Sequence, residues 1–177
     1  MDRKMGGLTE MERREQAQAY FREGYNCAQA VAMTFAKELG MTPEEAAKFA
    51  SPLGGGMGRL REVCGAVSTA FLVLGAVYGY DTPETGEVKM ALYARVQALA
   101  AAFEERHGTI VCRELLGLTE KHQAPTPAPR TEAFYQTRPC EGLIGDAAAL
   151  LGDYLEKNPP AAAEEKQNRE EGPHLEK

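Results

Sequence analysis

The chain has 177 residues, 44% of them hydrophobic, which is enough for one sizeable core. A formal net charge of −6 makes nucleic acid and anionic membranes poor partners. The start, Met1 to Gly7, lacks the apolar stretch of a secretory signal, and the most hydrophobic run, Ala66 to Tyr80, is broken by Ser68, Thr69, Gly75 and Gly79 and falls short of the ~18 to 20 apolar residues that span a bilayer. A cytoplasmic protein with no membrane insertion is expected.

In chain order the helix signals are clear and strand signals nearly absent. Thr9 and Glu12 form a capping box that starts a helix running to about Glu23, before Gly24. Asn26 caps a second helix, whose Ala30, Val31, Phe35 and Leu39 follow helical spacing up to Gly40. Thr42, Pro43 and Glu45 start a third, reaching about Ser51. Gly54-Gly55-Gly56-Met57-Gly58 cannot be regular helix. An apolar helix follows Cys64 and ends near Gly79. Thr82-Pro83-Glu84 opens a long helix with Met90, Tyr93, Val96, Leu99, Ala100 and Phe103 on one face and Gly108 as its stop. A short helix spans about Ile110 to Leu116. Pro125, Pro127 and Pro129 mark an extended connector, and the last helix covers about Cys140 to Lys157. The expected fold is all-α, a bundle of about six or seven helices with a glycine-rich loop and a Pro-rich connector. Residues 8–157 read as a single helical domain and 158–177 as a polar, disordered tail.

The four cysteines carry the chemistry. Cys27, Cys64, Cys112 and Cys140 each fall in or just before the first turn of an expected helix, with Asn26, Thr109 and Thr137 as N-caps for three of them. A helix start offers unpaired N–H donors and partial positive charge, which favours thiolate over thiol. No two of the cysteines share a short Cys-x-x-Cys turn, so a common site has to be assembled by tertiary folding. Four thiolates suit an iron–sulfur cluster, [2Fe-2S] or [4Fe-4S], or a tetrahedral zinc ion. Arg59, Arg61, Arg113 and Arg138 lie close in sequence to three of the cysteines and add positive charge. No Cys-x-x-Cys-His occurs, so covalent haem is not expected.

Gly24-Tyr25-Asn26-Cys27-Ala28-Gln29-Ala30, Gly54 to Arg59, Cys64-Gly65-Ala66-Val67, Cys112-Arg113-Glu114-Leu115-Leu116-Gly117 and Cys140 together resemble the redox-active protein family named after its C–GCAxxG–C–C cysteine pattern. The resemblance runs from roughly Glu10 to Leu155, and it implies a common four-cysteine site. Where the family motif ends in glycine this chain has Thr69, which adds a side chain at a point of close approach. A second similarity is to the non-haem part of split-Soret cytochrome c, where cysteines hold an iron cluster.

The glycine loop has two readings. It can present consecutive N–H groups to an anion, cluster or thiolate, or it is a sharp turn that supports Cys64; structural support is preferred. His107, beside Gly108, suits a helix C-terminus, whereas His122 falls in a loop and His174 in the tail. Glu104, Glu105, Glu114 and Glu141 read as solvated helix faces, and Tyr25, Tyr78 and Tyr80 as packing residues.

The leading expectation is a redox-active protein binding an iron–sulfur cluster through Cys27, Cys64, Cys112 and Cys140, with Gly55, Gly56 and Gly65 as further cofactor-binding residues. It would serve as an electron carrier for a redox partner protein. The runner-up is a thiol–disulfide oxidoreductase using Cys27 and Cys64. A third reading is a helical interaction protein with inert buried cysteines, whose long helix packs in a homodimer.

Overall fold

The computed structural model describes residues 8–83 and 86–160. Among them it forms nine helices and no sheet, so the fold is all-α. The helices are α1 Glu10–Arg22, α2 Cys27–Thr34, α3 Ala36–Leu39, α4 Pro43–Ala50, α5 Gly65–Tyr78, α6 Gly86–His107, α7 Cys112–Leu115, α8 Glu132–Thr137 and α9 Cys140–Lys157. The capping boxes at Thr9–Glu12, Asn26–Gln29 and Thr42–Glu45 all form, which is why these helix starts are legible locally.

The core is built on α1 packed along α9, with α2 and α5 against them. Phe35, Phe103, Leu74, Ile144 and Leu151 are completely enclosed within it. Arg14 of α1 ion-pairs with Asp146 of α9, and Arg22 with Glu141. His107 at the end of α6 places Nε2 3.0 Å from Asp146 Oδ2 and stacks on Phe103, tying α6 to α9.

Three local expectations differ from the structure. The helix expected from Asn26 to Gly40 breaks at Phe35 into α2 and α3. Just before the break Thr34 Oγ1 donates to Ala30 O at 2.9 Å, a back-bond that bends helices. The connector contains an unexpected helix, α8, capped by Thr131, whose hydroxyl accepts from Phe134 N. Its Phe134 and Tyr135 pack on Phe21 of α1, a tertiary contact that the surrounding prolines mask. On α6, Leu99 and Phe103 are buried as expected, but Met90 and Tyr93 are 66% and 56% exposed, so the apolar face enters the core only in its C-terminal half. Glu84 at the expected start of that helix, Met1 to Gly7, His174 and most of the expected tail lie outside the described residues. No described helix is long and apolar enough to cross a membrane.

Candidate functional site

Sequence order scatters the cysteines, but the fold returns all four to one place. Cys27, Cys112 and Cys140 are the first residues of α2, α7 and α9, and Cys64 is the N-cap of α5. All four line a single cavity of about 220 Å³. Cys64 and Cys112 are enclosed, whereas Cys27 and Cys140 keep partial access to solvent.

Backbone pairing brings Cys64 to Cys112. A lone antiparallel bridge joins Val63 to Val111, with Cys64 N donating to Ile110 O at 2.8 Å and Cys112 N to Glu62 O at 2.6 Å. Two starts expected to depend on threonine caps are made differently. Thr109 Oγ1 accepts from Val111 N, leaving Val111 as the cap of α7, and Thr137 ends α8 with its hydroxyl on Ala133 O, so Pro139 precedes α9. Side-chain capping reaches only one turn, and here longer-range packing positions the sulfurs.

The glycine loop approaches the site too closely for side chains. A Cβ on Gly56 would lie 2.7 Å from Cys112 Cβ, and one on Gly65 2.7 Å from both Cys27 Sγ and Leu53 O. Gly55, Gly56 and Gly58 take positive φ, and so do Met57, Arg59 and Arg61. The left-handed region costs a residue with a Cβ about 1 kcal/mol or more, so this loop stores strain beside the sulfurs. The backbone N–H groups of Gly55, Ala28 and Gly65 favour the charged form of Cys27 and so lower its pKa. Gly65 thus leaves room beside Cys27 Sγ, and Gly56 keeps the space beside Cys112 clear.

A family model described as "Putative redox-active protein (C_GCAxxG_C_C)" matches residues 25–154. The chain belongs to this family. No curated protein matches it, and no solved structure does, so the similarity to split-Soret cytochrome c stands without support. The departure from the family motif at Thr69 is completely buried in α5, and its hydroxyl has no hydrogen-bond partner.

The surroundings shift the four cysteines in different directions. The Cys64 thiol donates to Cys27, and with the three backbone N–H groups this outweighs burial and lowers the Cys27 pKa to about 6. The same bond, together with burial, pushes Cys64 well up. Burial raises Cys112, although Arg61 Nη1 lies 3.5 Å from its sulfur, and burial followed by the Cys27 charge pushes Cys140 up to about 11. The expectation that every helix start favours thiolate therefore holds only at Cys27. Helix α7 has just four residues, so little dipole reaches Cys112, and at Cys140 desolvation wins.

The arginines also sort differently from their sequence positions. Arg59, Arg61 and Arg138 line the cavity, as does Arg130 of the connector, which proximity in sequence does not reveal. Arg113 turns away to Glu62 and Glu114. Gln123 ties the connector over the cavity: its Oε1 accepts from Arg59 Nη2 at 3.1 Å and Arg61 Nη2 at 2.7 Å. Arg130 lies over the rings of Phe21 and Phe134 and donates to Tyr25 O. His122 is exposed in the connector, away from any metal-ligating role, and among the described residues no group of three or more His, Cys, Asp or Glu is placed to hold a metal ion. Four thiols nonetheless share one cavity, and Gly56 and Gly65 leave no side chain beside Cys112 and Cys27.

Proposed function

We propose that this redox-active protein works by thiol–disulfide exchange, with Cys27 as the attacking thiolate and Cys64 as the resolving thiol. The observation that carries this reading is the placement of Cys27 and Cys64 on one solvent-reached cavity, with Cys27 Sγ close against Gly65, the residue after Cys64, and with the interaction between the two sulfurs lowering the pKa of Cys27 while raising that of Cys64. Cys27 attacks one sulfur of a substrate disulfide and expels a thiolate. The mixed disulfide no longer carries charge at Cys27, so the main cause of the raised Cys64 pKa disappears. Cys64 then gives up its proton to the departing thiolate and attacks Cys27 sulfur, which releases the second thiolate. Two electrons have passed to the substrate, and a dithiol reductant resets the pair. One equivalent of a mild disulfide oxidant followed by peptide mapping tests this. A Cys27–Cys64 link is expected, and any other pairing, or none, counts against it.

The positions of Cys112 and Cys140 on the same cavity favour a second reading, in which Cys27, Cys64, Cys112 and Cys140 bind an iron–sulfur cluster. A cluster carries its own iron and sulfide between the thiolates, so it suits a wide four-sulfur cavity better than a single ion such as zinc. Bound there it would supply one-electron chemistry, while Gly55 and Gly65 N–H groups and the Arg61 guanidinium would hydrogen-bond the sulfurs. The visible spectrum of anaerobically purified and iron–sulfide-reconstituted protein separates the two. Brown colour that bleaches with dithionite and is lost in each Cys→Ser variant supports the cluster, and a colourless protein supports the dithiol.

A further inference from the structure

The cavity's arginines stand apart from most others in the molecule. Arg13, Arg14, Arg22, Arg106 and Arg113 each pair with a carboxylate, while Arg95 stacks on Tyr78. Among the described residues Arg59, Arg61, Arg130 and Arg138 make no such pair, and no Asp or Glu lines the cavity. Four guanidinium charges thus converge with no carboxylate among them, the Cys27 thiolate being their one counter-charge in the cavity, in a chain whose net charge is −6. Burial and the repulsion of Arg61 and Arg138 push the Arg59 pKa down, which reflects the same crowding.

Arg61 is the sharpest case. It is 2% exposed, its backbone is left-handed, and its charged group meets only neutral Gln123 Oε1 and the Cys112 sulfur. A buried charge without a counter-ion is costly, so a fold that keeps one at a cavity gains from an anion placed there. At about 220 Å³ the space lies below the ~300 Å³ at which drug-sized pockets begin, which limits the guest to a small molecule.

We propose that this guanidinium wall recognises small dianions, and that the substrate of the cavity is a low-molecular-weight disulfide carrying carboxylate or sulfonate groups. The substrate assignment rests on the dithiol reading; the anion site does not. Arg59, Arg130 and Arg138 take the charged groups at the wall and Arg61 supplies the deep charge, which brings a disulfide sulfur to Cys27. The substrate is the oxidant: its S–S bond breaks, two thiolates leave, and the Cys27–Cys64 bond forms.

Two chromogenic disulfides test this, dithiobis(nitrobenzoate), a dianion, and dithiodipyridine, which is neutral. Each rate is normalised to that of free cysteine under the same conditions. At low ionic strength the wild-type chain is expected to prefer the dianion by about tenfold or more, with the preference shrinking as salt rises. It should fall to about one in Arg59→Gln/Arg138→Gln and persist in Arg59→Lys/Arg138→Lys, with melting curves confirming that both fold. Equal normalised rates in wild type, or an unchanged preference in the Gln variant, would overturn the proposal. If Cys27→Ser reacts with both reagents as wild type does, the dithiol reading falls by itself. Calorimetric titration with sulfate then decides the anion site alone: binding that is lost in the Gln variant sustains it, and no binding to wild type ends it.

Discussion

The Cys27–Cys64 side of the cavity and the Cys112–Cys140 side have the same ingredients and opposite chemistry. All four cysteines stand at helix starts and line the cavity. On the first, at Cys27, the Cys64 thiol and three backbone N–H groups outweigh burial and lower the pKa to about 6. On the second, burial dominates and both thiols stay protonated, even with Arg61 beside Cys112. A helix start alone does not make a thiolate; at Cys27 the neighbouring Cys64 thiol is the largest cause, and the glycine loop contributes through Gly55.

Removing the favoured sulfur should break this contrast most completely. With about nine-tenths of Cys27 ionised at pH 7 and the other thiols ionised to about one per cent or less, Cys27→Ser is expected to slow iodoacetamide alkylation at pH 7 by about a hundredfold, whereas Cys140→Ser leaves the fast phase intact. Gly65→Ala comes next. Its Cβ would collide with Cys27 Sγ and Leu53 O, so a loss of about 2 kcal/mol in urea unfolding is expected together with a Cys27 pKa moved back toward ordinary thiols. Gly56→Ala meets a positive φ and Cys112 Cβ, so a similar loss of about 2 kcal/mol is expected with most of the Cys27 shift retained, because its contacts are with Cys112 and Glu62 and not with Cys27.

Smaller effects sharpen the comparison. Cys27 binds its proton less tightly folded than unfolded, so under reducing conditions its stabilisation is complete above the ordinary thiol value of ~8.5 and is lost as pH falls through about 6. Cys64, Cys112 and Cys140 are shifted up, so the stability they favour is present below that ordinary value and declines as pH rises beyond it. The stability difference between wild type and Cys27→Ser should therefore widen from pH 6 to pH 8 in urea titrations, and a flat difference would contradict the thiolate. Least of all, Thr69→Val removes a buried, unpartnered hydroxyl at nearly constant shape and should stabilise the fold by about 1 kcal/mol without changing alkylation.

Much of the fold was legible because its signals are local. Asn26, Thr9 and Thr42 are caps whose partners sit three residues away, and the last helix was bounded correctly at both ends. The all-α class and the family followed from such patterns and from the cysteine order. Helix α8 and the Phe35 break were not visible, because Phe134 packs on Phe21 and Thr34 bends its helix through contacts that periodicity does not encode. At the site, the cysteines and glycines were legible as types. The inequality among the sulfurs was not, since it depends on Cys64 pointing at Cys27 across the fold. Arg130 was missed and Arg113 included for a related reason: distance along the chain is a poor guide to which charge faces a cavity closed by a connector.

Alkylation of each cysteine as a function of pH, on the fully reduced protein and read by mass spectrometry, tests the central claim most directly. The account predicts that Cys27 modifies with a midpoint near 6 while Cys64, Cys112 and Cys140 titrate at higher pH than an ordinary thiol. A Cys27 that titrates together with the other three, or above them, would contradict it.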